Sequence, residues 1–189
     1  MTTETKQRLT IEEYLALERA SEERHGYLDG EMLVVSGGGL HHSRISRNVF
    51  TSLHSQLRYG DREVFVNAMR VRTPTDLFTY PDIIVTSRNA RYDDDEFDTL
   101  LEPLVILEIL SPRTEAYDRT TKLPHYRTIP SLTEIALIAQ DRVHIERWKR
   151  QAEDQWLVED IEDIGRTLDL PAVGCTLALS DVYDRVFET

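Results

Sequence analysis

Two acidic residues in this 189-residue chain end apolar, β-branched runs, and a lysine follows them at a distance that chemistry could use. Asp82 follows Thr79-Tyr80-Pro81 and leads into Ile83-Ile84-Val85. Glu108 sits within Pro103-Leu104-Val105-Ile106-Leu107-Glu108-Ile109-Leu110-Ser111-Pro112. An ionised carboxylate buried without a partner costs several kcal/mol, so each should have one. If the two runs are neighbouring strands, the two carboxylates can share a divalent cation, and Lys122, 14 residues past Glu108, can supply a positive group beside it. Phosphodiester hydrolysis needs that set: an activated water, neutralised charge on the phosphoryl oxygens and help for the leaving group. Mg²⁺ is an oxygen-seeking ion that keeps waters in its shell, and a lysine stabilises developing charge. Each residue also has a plain structural reading. Asp82 could start a strand after a proline, Glu108 could pair with an arginine such as Arg113, and Lys122 could pair with Asp118 at i,i+4.

The elements that must position these groups follow from periodicity and turn signals. Thr10-Ile11-Glu12-Glu13 fits a capping box that opens a helix over about 11–20, with Ile11, Tyr14, Leu15 and Leu17 on its apolar side. Asp29-Gly30 between two short apolar runs predicts a hairpin. Gly37-Gly38-Gly39 is a flexible break without the Lys-Ser/Thr of a phosphate loop. A second helix is expected over 41–58, because Ile45, Val49, Leu53 and Leu57 form one stripe, with Arg44, Arg47 and Arg58 off it. Strands are expected at 63–66, 69–72 and 82–86. The run 104–110, apolar on both faces, reads as a central strand. Asp93-Asp94-Asp95-Glu96 lacks calcium-loop spacing and reads as a solvated loop. A helical segment starts near Thr114, and Pro124 should kink or interrupt it. Strands at 133–139, 142–148 and 155–161 follow, then a last short strand and a helix over 181–187 capped by Ser180. This order predicts a mixed α/β or α+β fold. Residues 1–8 read as a flexible tail and 9–189 as one domain.

Composition narrows the function classes. Hydrophobic residues make up 40% and charged residues 30%, which fits a globular chain. No apolar run approaches the roughly 18–20 residues of a membrane span, so no membrane association is expected. The polar first residues do not resemble a signal peptide, and the lone Cys175 rules out an internal disulfide, so a cytoplasmic, reducing setting is expected. The net charge of -12 argues against a protein that coats nucleic acid. The charge is uneven, however. Residues 41–91 hold 8 Lys and Arg against 4 Asp and Glu, while the remainder holds 14 against 30. His41-His42 stands at a helix start beside Arg44 and Arg47. It could shuttle a proton or touch a phosphate, or simply make a structural hydrogen bond.

Several runs resemble the Uma-type restriction endonuclease family of bacteria, within the PD-(D/E)XK nuclease superfamily. They are Asp29-Gly30-Glu31, His42, Met69-Arg70-Val71-Arg72, Tyr80-Pro81-Asp82, and Glu108-Ile109-Leu110-Ser111-Pro112. Beyond these come Thr114-Glu115-Ala116-Tyr117-Asp118-Arg119, Lys122, Tyr126 and Arg127. The resemblance implies a central mixed β-sheet flanked by helices, as in restriction endonucleases. It also implies a Mg²⁺ (or Mn²⁺) site at Asp82 and Glu108, and DNA cleavage with Lys122 as the third catalytic residue. Arg44, Arg70 and Arg113 would contact phosphates, and a homodimer is expected by analogy, with 133–161 as contact surface. The chain departs from the pattern in two places. Leu110 stands where the superfamily places a lysine, which makes Lys122 the substitute. Gly26, in Arg24-His25-Gly26-Tyr27-Leu28-Asp29-Gly30, stands where the family carries a glutamate. Glu31 could compensate from a diagonal position on the hairpin, with Glu22 and Glu23 as further candidates. Loss of that acid also motivates a second reading, a nuclease-like fold acting as a binding or assembly module.

Overall fold

The computed structural model describes residues 8–35 and 38–188. All but Arg8 of the expected tail, and Gly37 of the glycine break, lie outside the described residues. The first helix, α1 (Ile11–Ala20), opens with the expected capping box: the Thr10 hydroxyl accepts from the Glu13 N–H, and the Glu13 carboxylate accepts from the Thr10 N–H at 2.8 Å. Its buried face differs from the expected one. Tyr14 is fully buried and Glu18 is buried beside it, whereas Leu17 is 50% exposed. The helix sits on a small aromatic cluster, with Tyr14 stacked on Tyr27 at 4.9 Å and edge-on to Phe78, and this selects the Tyr14–Glu18 face.

The hairpin of β1 (His25–Leu28) and β2 (Glu31–Val34) turns at Asp29 and Gly30, both at positive φ, as the sequence predicts. The long helix α2 (Leu40–Leu57) buries the stripe Ile45, Val49, Leu53 and Leu57. It is followed by β3 (Arg62–Val66), β4 (Arg70–Arg72), β5 (Phe78–Thr79), β6 (Ile83–Ser87), β7 (Thr99–Leu100) and β8 (Pro103–Leu110). A helical stretch comes next: α3 (Glu115–Tyr117), a π-helical turn (Asp118–Lys122) and α4 (Leu123–Tyr126). The chain closes with β9 (Glu134–Ala139), β10 (Ile145–Ala152), β11 (Gln155–Ile161), β12 (Thr167–Leu170), β13 (Cys175–Ala178) and α5 (Leu179–Val182).

The architecture is a mixed sheet with helices on its faces, as expected. The six-stranded sheet runs β11-β10-β9-β8-β6-β3, with β8 and β9 parallel and the other neighbours antiparallel. A five-stranded sheet, β2-β1-β5-β4-β7, lies across the chain's early half, and β12 pairs β13 alone. The alternation along β8 divides the core. Val105, Leu107 and Ile109 join the α2 side, with Ile83, Val85, Ala136 and Ile138. Ile106 and Leu110 join the other side, with Ile84, Leu123, Tyr126 and Leu137. No helix among the described residues is long and apolar enough to cross a membrane.

Three expectations need correction, and two short strands were not anticipated. Pro124 does not break the helical stretch. The turn before it widens, so that the Leu123 N–H reaches Asp118 O, and Pro124 enters the first turn of α4, where a missing N–H is tolerated. The acidic loop is not merely solvated, because Asp93 pairs with Arg72 and Asp94 with Arg19. Strands β5 and β7 have two residues each and carry no periodicity to read. The end of the chain is a hairpin, β12–β13, and its helix starts at Leu179, not at Asp181; Ala178 precedes it without a side-chain cap. Since Leu107 is fully buried in the central strand, Leu107→Ala should cost about 2–5 kcal/mol in urea unfolding, while Leu17→Ala should stay within about 0.5 kcal/mol.

Candidate active site

Strand parity brings the two carboxylates together. Strands β6 and β8 pair antiparallel with Ile83 opposite Leu107 and Ile84 opposite Ile106. One step further along that register, Asp82 stands beside Glu108, and side chains two residues apart share a face. Asp82 therefore points to the side of Ile84, and Glu108 to the side of Ile106 and Leu110, which is the side covered by α4 and the π turn. The Ile109 N–H donates to Asp82 Oδ2 at 2.7 Å, and the Asp82 N–H makes a long contact of 3.4 Å with Glu108 Oε2.

The helical stretch after β8 supplies the cation. Lys122 Nζ lies 3.1 Å from Glu108 Oε1 and 2.9 Å from Asp118 Oδ1. The Tyr126 hydroxyl donates to Glu108 Oε1 at 2.5 Å. Both sequence readings of Lys122 therefore hold at once: it pairs with Asp118 at i,i+4 and it reaches the strand carboxylate. On the other side, His42 Nε2 from the start of α2 is 3.0 Å from Asp82 Oδ1. Gly38 lies against the imidazole so closely that a Cβ there would fall 2.3 Å from the ring, which gives one glycine of the break a steric reason. Glu108 does not pair with Arg113, which is exposed at the rim.

The electrostatics are unbalanced. Glu108 is 1% exposed and Asp118 is buried. Burial, reinforced by the neighbouring Asp82 and Asp118 charges and opposed by Lys122, pushes the Glu108 carboxyl up to about 8. Burial alone would lower the Lys122 pKa, but Glu108 and Asp118 outweigh it and hold the ammonium charged above its ordinary range. Burial and then Glu108 raise the Tyr126 phenol, which stays a donor. Three carboxylates thus face one ammonium in a cavity of about 100 Å³. The Asp118 Oδ1 contact with Lys122 lacks hydrogen-bond geometry and leaves that buried oxygen without a directed donor.

This surplus of hard, anionic oxygen fits a divalent cation of the Mg²⁺ or Mn²⁺ kind. Asp82 and Glu108 are the residues that would hold it. Among the described residues, no three His, Cys, Asp or Glu converge into a complete ligand set. A two-carboxylate site suits an ion that keeps most of its waters.

The remaining sequence candidates fall in different places. Arg70 is 2% exposed, donating through Nη2 to Asp98 at 2.7 Å, through Nε to Thr99 at 2.8 Å and through Nη1 to the Tyr80 hydroxyl at 3.3 Å. It is a buried structural cation and not a phosphate contact. Arg44 Nη1 donates to the carbonyls of Val186 and Glu188, which ties α2 to the end of the chain. Glu31 does not replace the missing acid. It is exposed and pairs with Leu28, two rungs beyond Gly26 and Leu33, which line the cavity. At Gly26 a Cβ would meet Phe78 O at 2.9 Å, so this backbone leaves little room for any side chain. Glu22 and Glu23 border an adjoining groove with Arg24, His42 and Asp82.

The sequence reading paired Asp118 with Lys122, but it missed that Asp118 and Tyr126 act together with Lys122 around Glu108. Their signal was present, since both lie in one short helical run with Lys122, but only the π turn sets which of them reach Glu108. It also missed a second network behind the cavity. Glu18 accepts from the His25 N–H at 3.0 Å and from the Tyr80 hydroxyl at 2.7 Å, and Tyr80 lines the cavity.

Comparison with known proteins identifies the family and the fold. The Uma2 family profile, described as "Putative restriction endonuclease", matches residues 11–180. An uncharacterized protein of Synechocystis sp., slr1290, is 32% identical over 177 residues, covering 93% of this chain and 92% of its own. A second from the same organism, sll1609, is 31% identical over 164 residues, covering 85% and 92%. A crystal structure described as a putative nuclease belonging to DUF820, from Anabaena variabilis, superposes with a TM-score of 0.77 over 95% of this chain and 99% of that one, at 20% identity. That likeness shows the fold, which is nuclease-like, and the profile match over most of the length shows the kinship: this chain belongs to the Uma2 family of restriction-endonuclease-like proteins.

Proposed function

We propose that this protein is a metal-dependent endonuclease that hydrolyses DNA phosphodiester bonds. One observation carries the reading: Asp82, Glu108 and Lys122, from two paired strands and the following helix, meet in one cavity with an excess of negative charge. A divalent ion held by Asp82 and Glu108 would supply charge neutralisation at phosphorus and an acidified water. The protein's own groups do the rest. Lys122 keeps its proton and lies where it can stabilise a phosphoryl oxygen as charge develops. The Tyr126 hydroxyl and Lys122 fix one oxygen of Glu108, leaving Oε2 toward Asp82. His42 and the Ile109 N–H each engage one oxygen of Asp82 and set its orientation, so His42 is a positioning residue. Arg113, exposed at the rim, would meet a flanking phosphate. Two copies would associate through the strands from β9 to β11.

A second reading has its own observation. The close approach of Phe78 O to Gly26 leaves one acid of the family pattern absent, with no replacement on the hairpin. In that reading the chain keeps a nuclease-like fold and acts as a binding or assembly module. Plasmid nicking in Mg²⁺ or Mn²⁺ separates the two. The endonuclease reading expects nicking by the wild type and a fall of at least about 100-fold in Asp82→Ala, Glu108→Ala and Lys122→Ala. Equal nicking by all four proteins, or no cleavage of either plasmid or single-stranded circular DNA by any of them, sinks it.

The charge surplus makes a further prediction in solution. Without a cation, Glu108 folds with its carboxyl pushed up to about 8, whereas an unfolded glutamate titrates near ~4.3. The folded state then binds more protons, so the Glu108 contribution to stability is full below about pH 4.3 and is lost as pH rises toward 8. A cation that replaces the proton should therefore raise Tm more at about pH 8 than at about pH 6. Thermal melts with and without Mn²⁺ should display this growth in the wild type, and Glu108→Gln should abolish it.

A further inference from the structure

The walls of this cavity differ from its floor. On one side stand Leu33, Val34 and Val35 of the β1–β2 hairpin, and Val34 and Val35 are 69% and 38% exposed. Tyr80 and Tyr117 also border the cavity. The floor is the recessed carboxylate set, so a scissile phosphate must descend between these walls to reach it. The space directly over the carboxylates is about 100 Å³, below the ~300–1,000 Å³ of a cleft that takes a drug-sized ligand whole, and past Asp82 it opens into a groove of about 450 Å³. A phosphate and a few waters fit over the carboxylates; a stacked base pair does not.

Charge points the same way. Duplex DNA carries one negative charge per about 1.7 Å of axis, and proteins that dock it present a spread of arginines and lysines. Here Arg70 is consumed by Asp98, Thr99 and Tyr80, and Arg44 by the end of the chain. Glu22 and Glu23 border the groove that continues from the cavity past Asp82, beside Arg24, whose guanidinium donates to the Asn67 carbonyl and lies over the Tyr80 ring. A rigid second strand lying there would meet carboxylates. A single strand needs fewer phosphate contacts and gains affinity from bases laid on apolar or aromatic walls.

Resting on the nuclease reading above, we propose that the substrate strand enters this site unpaired: the recessed carboxylates, the apolar wall of Val34 and Val35 and the acidic groove edge fit single-stranded DNA, or the unpaired arm of a fork, in preference to a duplex. The unpaired backbone can bend its phosphate into the cavity while an adjacent base lies against the valines.

Fluorescence anisotropy with the Glu108→Gln protein in Mn²⁺ tests this without cleavage. The probes are one labelled oligonucleotide, the same strand annealed to its complement, and a splayed fork. The single strand and the fork should bind at least about tenfold tighter than the duplex, and Val34→Ser with Val35→Ser should remove most of that difference. The wild-type protein should cut the fork in its unpaired arm. Duplex binding as tight as single-strand binding, or equal cutting in the paired arm, overturns the inference and leaves the nuclease reading standing. A retained single-strand preference without cleavage of any DNA overturns the nuclease reading alone. Absence of binding to all three probes overturns both, and unchanged single-strand affinity in the double serine variant removes the valine wall from the account.

Discussion

Two carboxyl groups held side by side in a buried recess are the constraint on which this structure turns. Antiparallel pairing of β6 with β8 sets Asp82 beside Glu108, and the alternation of β8 turns Glu108 away from the α2 side of the core. That arrangement is costly unless something positive is built in. The chain meets this need with a lysine fixed between two carboxylates, a phenol donor, an imidazole and a backbone N–H, each from a different element. The elements around the sheet are therefore arranged to aim at one small volume. The helix α2 brings His42, the π turn brings Lys122 and Asp118, α4 brings Tyr126, and the hairpin closes the side.

Much of this was legible in the sequence because it rested on short-range rules. The capping box at Thr10 and Glu13, the Asp29-Gly30 turn and the stripe on α2 each depend on neighbours a few residues apart. A carboxylate in an apolar run is equally local, and so Asp82 and Glu108 announced themselves. What escaped the sequence depended on long-range choices. Glu18 is buried and Leu17 exposed because α1 meets an aromatic cluster drawn from three separate elements. Arg70 looks like any surface arginine in sequence, yet Asp98, Thr99 and Tyr80 enclose it. Strands of two residues, such as β5 and β7, exist only because neighbours supply their hydrogen bonds. For Lys122 the residue type was readable and its direction was not.

The second sheet has a role beyond support. The Tyr80 hydroxyl bridges Arg70 and Glu18, while its ring lines the cavity two residues before Asp82. The segment that enters β6 is thus held from behind by a buried ion-and-phenol network, and Asp82 inherits that rigidity. Gly26 belongs to the same sheet. Its closeness to Phe78 O follows from the tight pairing of β1 with β5, where Tyr27 lies opposite Phe78. The spacing that accommodates the aromatic cluster is also the spacing that denies a side chain at position 26.

The π turn carries a consequence for how this chain tolerates change in length. A regular helix advances about 100° per residue, so one residue more or fewer swings everything downstream around the axis by that amount. Here the widened turn between Asp118 and Leu123 absorbs one residue's worth of rotation just before Pro124. Tyr126 and Lys122 are brought round to a common carboxylate because of that absorbed step. A single-residue deletion in this stretch would restore an ordinary helix, in which the phenol and the ammonium no longer converge on Glu108. In this chain the number of residues between the central strand and its covering helix is therefore set by the site they share.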